Sequence, residues 1–129
     1  MTTVAPHPGL TIAEAAAASG LSVHTLRYYE RDGLLLDAVE RAPSGHRRYT
    51  EQDLGWITLV TRLRATGMPV REVRAYAALV RAGADTEAER LALLRAHRER
   101  VLAEMEAVRG HLAAIERKIA LYESRDADA

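Results

Sequence analysis

From Thr86 to Tyr122 the chain carries no proline and a single glycine, Gly110, a span far beyond the roughly 11–12 residues of an average helix. Within it Leu91, Leu94, Arg98, Val101, Met105, Val108, Leu112, Ile115, Ile119 and Tyr122 follow one another at alternating steps of three and four. That repeat holds one narrow stripe on one side of a helix, the pattern of a coiled-coil seam. A lone helix cannot bury such a stripe, and a second copy of the same chain is the simplest partner. Arg98 is the charged exception. It weakens the coil but restricts register, and Glu104 or Glu106 of the other chain is its expected partner. Gly110 falls outside the seam and weakens the helix by up to about 1 kcal/mol relative to Ala.

Upstream, the punctuation is dense and the periods are short. Met1 to Leu10 hold Pro6, Pro8 and Gly9 without periodicity and read as a flexible arm. Thr11 is an N-cap with Glu14 in the capping-box position, opening an Ala-rich helix that Gly20 stops. Ser22 caps a second helix, Val23 to Arg31, with Val23, Leu26 and Tyr29 or Glu30 at helical spacing. Two short helices around a glycine turn form a helix-turn-helix, whose second helix is placed to enter a major groove. After Gly33 come Leu34, Leu35 and Leu36, a turn near Pro43 to Gly45, and His46 to Tyr49, read as a two-stranded wing. Thr50 caps a third helix with Asp53 at its third position and Leu54, Ile57, Val60 or Thr61, and Leu63 as its stripe, stopped by Gly67. Pro69 stands in the first turn of a fourth, Val70 to Val80, where its missing N–H costs little, and Gly83 ends it.

The expected architecture is mainly α. A flexible arm (1–10) precedes a winged helix-turn-helix DNA-binding domain with a small β-wing (11–83). A long helix (84–123) then forms a coiled-coil dimer, and a disordered tail (124–129) follows. The length of 129 residues suits one compact domain with an appendage and makes a separate ligand-binding domain unexpected.

The formal net charge of zero argues at first against nucleic acid, since affinity for phosphates comes from cationic side chains and counterion release. What decides is whether several Arg share one face. Seventeen of the eighteen basic residues are Arg, which a GC-rich genome explains as readily as a preference for forked phosphate contacts. The absence of Cys excludes disulfides, thiolate metal sites and thiol switches. No apolar run approaches membrane-spanning length, and Met1 to Gly9 lacks the features of a signal peptide, so a cytoplasmic, nucleoid-associated protein without membrane contact is expected. There is no glycine-rich phosphate loop, no Cys nucleophile and no recognisable catalytic arrangement of Ser, His and acidic residues, so no enzyme is expected.

The segment Thr25-Leu26-Arg27-Tyr28-Tyr29-Glu30-Arg31-Asp32-Gly33-Leu34 resembles the recognition helix of MerR-family transcription regulators and the lead-in to their wing. The agreement continues through Gly45-His46-Arg47-Arg48-Tyr49, Asp53-Leu54 and Leu63-Arg64-Ala65-Thr66-Gly67-Met68, in order, covering about Leu10 to Val80. The resemblance implies binding of double-stranded promoter DNA as a homodimer joined by an antiparallel coiled coil, with RNA polymerase at the same promoter, and activation by distorting an over-long spacer. Tyr76 to Val80, Glu89 to Leu91, His97-Arg98 and Lys118-Ile119 look like the aldehyde- and electrophile-responsive branch. Members of that branch carry a sensing Cys where this chain has Arg62, so covalent sensing at a thiol cannot operate here.

The residues support that assignment chemically. His24 and Thr25 lie in the first turn of the second helix, which meets base edges, and Arg27, Tyr28 and Arg31 follow where phosphates are held; Thr11 and Ser22, at helix starts, join them. The resemblance turns Tyr28 to DNA, while spacing from Leu26 places Tyr29 in the core. Arg47 and Arg48 lie on opposite faces if they are in a strand, and the resemblance favours Arg47 for phosphate, with Tyr49 nearby. Glu30 is expected to orient an Arg or cap a neighbouring group, since phosphate repels a carboxylate. Trp56 is read first as a core residue, and Trp56, Leu59, Arg62, Tyr76 and the start of the long helix are candidates to line a small-molecule pocket. His97 and His111 share a heptad position; in one chain they stand about 21 Å apart, too far to share an ion, an antiparallel dimer centred near Glu104 would bring them together, and two solvated histidines are the ordinary reading. No metal and no cofactor are expected. The rival functions are a coiled-coil adaptor and a regulator that answers a small molecule without cysteine.

Overall fold

The computed structural model describes residues 9–36, 40–41 and 47–128, the side chains at 40, 41 and 47 apart. The expected turn at Pro43 to Gly45 lies outside them. Its elements are α1 (Ile12–Ser19), α2 (Val23–Arg31), β1 (Glu40–Arg41), β2 (Arg47–Arg48), α3 (Glu51–Ala65), α4 (Val70–Ala82), a 3-10 turn (Ala84–Thr86) and α5 (Glu87–Ala127). The chain divides into two units, Met1–Leu91 and Ala92–Ala129.

Each early helix starts where its cap chemistry dictates. The Thr11 hydroxyl accepts from the Glu14 N–H (3.1 Å) and Glu14 Oε1 accepts from the Thr11 N–H (2.9 Å), while Thr50 and Asp53 repeat this box on α3 at 3.1 and 2.8 Å. Two orphan donors are satisfied at each start. The ends of α2 and α3 also share one device. Gly33 (φ 73°) and Gly67 (φ 93°) turn left-handed, and the next residue bonds back across the turn, Leu34 N–H to Tyr29 O and Met68 N–H to Leu63 O, both 2.9 Å.

In the first unit α1 packs on α2 and α3, and α3 on α4. Leu26, Leu34, Tyr49, Ile57, Val60, Met68 and Val73 are fully buried there. Glu40 and Arg41 pair antiparallel with Arg48 and Arg47. Leu10, expected at the end of a free arm, is instead tied to Tyr49 by reciprocal bonds of 2.7 and 2.8 Å. Gly9 is what permits this approach: its φ is 112°, and a Cβ there would lie 2.8 Å from the Tyr49 carbonyl oxygen.

In the second unit, helix α5 continues to Ala127 rather than giving way to a disordered tail at 124. Nothing in Glu123 to Ala127 breaks a helix, and most of these residues favour one. His97 is buried (5% exposed) and its Nδ1 lies 3.3 Å from Arg100 Nη2, whereas His111 is exposed, so the expectation of two solvated histidines fails for the first. Leu91, Met105, Val108, Leu112, Ile115, Ile119 and Tyr122 are exposed, from 46% at Leu91 to 63% at Val108, while Leu94 and Val101 are half-buried.

Candidate nucleic-acid interface

Helix α2 is sharply two-sided. Leu26 and Tyr29 are buried, and His24, Arg27 and Arg31, at i, i+3 and i+7, are exposed on one face. Tyr28 is half-buried and its ring lies 6.1 Å from that of Tyr29 at 53°, so the adjacent tyrosines part as helical geometry requires. The Ser22 hydroxyl accepts from the Thr25 N–H (3.0 Å) and also lies 3.0 Å from the Thr25 hydroxyl. Thr11 and Ser22 therefore serve as helix caps, while the Thr25 side chain stands in the first turn beside the Ser22 hydroxyl. Cationic side chains and an imidazole without apolar cover are the groups that meet phosphates and base edges.

The strand residues separate. Arg48 is half-buried, its Nε is shielded from solvent, and its charge reaches Glu14 of α1. The Glu14 carboxyl is held below the ordinary 4.5 first by the Thr11 backbone N–H, then by the Thr11 hydroxyl, then by Arg48. The Arg47 side chain lies outside the described residues. Tyr49 corrects the sequence expectation: its side chain is fully buried, which removes it from phosphate reach. Its ring belongs to the core because its backbone is clamped to Leu10 immediately before the Thr50 cap.

The four pocket candidates also part company. Trp56 and Tyr76 stack with centroids 5.5 Å apart and planes 6° apart, each 8% exposed, and Trp56 Nε1 donates to the Leu34 carbonyl at 2.6 Å. They spend their faces on each other and act as core. Leu59 is half-buried and Arg62 exposed. Sequence reasoning missed Arg74 and Arg81 of α4. Arg74 Nε donates to Asp32 O (2.9 Å), and Arg81 Nε and Nη2 donate to Leu36 O and Leu35 O (2.6 Å each). Their spacing of seven was legible, but no local pattern names an acceptor more than 40 residues away.

The sequence pattern of the MerR HTH family regulatory protein matches residues 10–79, and that described as MerR, DNA binding matches 54–110. This chain belongs to the MerR family. It is a MerR-type DNA-binding transcription regulator and not an enzyme. An uncharacterized HTH-type transcriptional regulator of Haemophilus influenzae is 36% identical over 91% of this chain and 86% of its own length. The regulator AdhR of Bacillus subtilis is 37% identical over 72% of this chain and 66% of its own length. Among solved structures, a MerR family regulator from Listeria monocytogenes superposes with a TM-score of 0.85 at 34% identity, covering 89% of this chain and 86% of that one. HiNmlR, a MerR family regulator lacking the sensor domain and bound to promoter DNA, superposes at 0.80 with 36% identity over 91% and 92%. As a MerR-family regulator without cysteine, this chain cannot sense through a thiol. Among its described residues no helix is long and apolar enough to cross a membrane.

Proposed function

We infer that this regulator binds double-stranded promoter DNA as a homodimer in the cytoplasm and controls transcription with RNA polymerase by distorting the promoter spacer. The observation that carries the DNA reading is the exposed face of α2, where His24, Arg27 and Arg31 stand opposite the buried Leu26 and Tyr29. His24 and Thr25 read base edges; Arg27, Tyr28 and Arg31 hold phosphates. Because the Arg48 side chain is half-buried with its Nε shielded from solvent, and strand side chains alternate, Arg47 is the wing residue assigned to phosphate. The promoter-bound relative HiNmlR supports the same reading.

The dimer rests on α5. One antiparallel register uses every seam position: Leu91 opposite Tyr122, Leu94 opposite Ile119, Arg98 opposite Ile115, Val101 opposite Leu112 and Met105 opposite Val108, about an axis between Glu106 and Ala107, and in it Arg98 faces Ile115 rather than the Glu104 or Glu106 expected as its partner. Each large apolar side chain so covered contributes roughly 1.5–3 kcal/mol, which favours pairing over an exposed stripe. The domain plan follows: DNA binding up to about residue 83 and dimerisation along 84–123. Titrating the chain into DNA from upstream of its own gene tests the proposal; a shift that saturates at two chains per site supports it, and no shift at low salt overturns it.

A further inference from the structure

Five consecutive carbonyls, Asp32 to Leu36, each receive a side-chain donor from α3 or α4. Arg74 Nε donates to Asp32 O (2.9 Å), Arg81 Nη2 to Gly33 O (3.2 Å) and Leu35 O (2.6 Å), Trp56 Nε1 to Leu34 O (2.6 Å), and Arg81 Nε to Leu36 O (2.6 Å). Arg74 Nη2 also lies 3.8 Å from the Asp32 carboxylate. This stretch is neither helix nor strand; it leaves the end of α2 and leads toward β1. Leu34 and Leu35 are buried and the residues around them are not, and all five carbonyls take side-chain donors from α3 or α4 outside any helix or strand ladder, which fixes the path of the backbone. Arg74 and Arg81 are two turns apart on α4 and share a face. The planar guanidinium fork suits Arg81 to three acceptors at once, which the single ammonium of Lys does not match.

We propose that Arg81, seconded by Arg74, is a positioning residue for DNA binding: it sets residues 32–36, where the chain leaves α2 for the β1–β2 hairpin, so that both elements meet one duplex together. The inference rests on the reading of α2 and the hairpin as DNA-contacting. Two contacts joined by a loose loop each lose freedom on binding, and a loop fixed beforehand removes that cost. Arg81 itself faces backbone carbonyls, so its effect on DNA is indirect.

The test uses the full chain as wild type, Arg81→Ala and Arg81→Lys, each with and without Arg47→Ala. In the absence of DNA, Arg81→Ala speeds amide hydrogen exchange at Arg41, Arg48 and Tyr49 by about tenfold while the helical amides of Leu26 to Arg31 and Trp56 to Ala65 stay as they were. Unchanged exchange in the strands, or equal acceleration of the helices, overturns the proposal. With DNA, Arg47→Ala costs about tenfold in affinity in the wild type and less than about threefold once Arg81 is Ala, because the hairpin is already released. A full tenfold loss in both backgrounds overturns it. Arg81→Lys, which keeps the charge but not the fork, falls between wild type and Arg81→Ala in both readouts and carries the test if the alanine variant does not fold. If the wild type binds no DNA, the functional reading fails and the exchange arm alone decides the role of Arg81.

Discussion

At the scale of the residue, the consequential side chains are those with a bond to lose. Trp56 both stacks on Tyr76 and donates to the Leu34 carbonyl. Trp56→Phe keeps a ring but strands a buried acceptor, and urea denaturation is expected to show a loss of about 1–3 kcal/mol. Trp56→Ala adds a cavity and is expected to cost about 3–5 kcal/mol. Glu14 makes the pH prediction. Its carboxyl is depressed by the Thr11 backbone N–H, then the Thr11 hydroxyl and Arg48, so the unfolded chain takes up a proton before the folded one does. The stabilisation is therefore complete above the ordinary 4.5 and disappears as pH falls through the lower folded value. Thermal unfolding between neutral and acid pH should show a shallower acid loss in Glu14→Gln than in the wild type; identical profiles contradict the capping-box assignment.

At the scale of the element, caps and stops were the most readable features. Thr11 with Glu14, Ser22, Thr50 with Asp53, and Gly20, Gly33 and Gly67 placed α1, α2 and α3, because the atoms that satisfy a helix end sit within a few residues of it. What stayed hidden is long-range. The bridge from Leu10 to Tyr49 and the donors of Arg74 and Arg81 join residues tens of positions apart, and neither has a local signature. Tyr49 misled for the same reason: beside two arginines it looked like part of a DNA contact, and only tertiary packing shows it buried. The face of α2, by contrast, follows from spacing alone and yields a division of labour. Arg27→Ala should weaken binding to all DNA sequences alike and reduce the salt slope by about two for a dimer, whereas His24→Ala should change which sequences are preferred. Binding to a randomised site library at two salt concentrations separates the two effects.

At the scale of the whole molecule, the account depends on two copies. The stripe from Leu91 to Tyr122 is exposed at seven positions in one chain, and that much apolar surface on a single helix calls for cover. Leu112→Glu, opposite Val101 in the seam, is expected to yield monomers by sedimentation equilibrium with the first unit still folded. Arg98→Leu should move the other way, raising dimer stability by about 1 kcal/mol or more, because a charge opposite Ile115 is replaced by an apolar side chain. Concentration-dependent melting reads that change. The central claim, that a net-neutral chain meets DNA with His24, Arg27 and Arg31 on the exposed face of α2, is tested most directly by measuring affinity for the DNA upstream of its gene as a function of salt. With Arg27, Arg31 and Arg47 of both protomers on phosphates, log affinity should fall against log salt with a slope of about −5. A flat dependence, or no binding at the lowest salt, would contradict it.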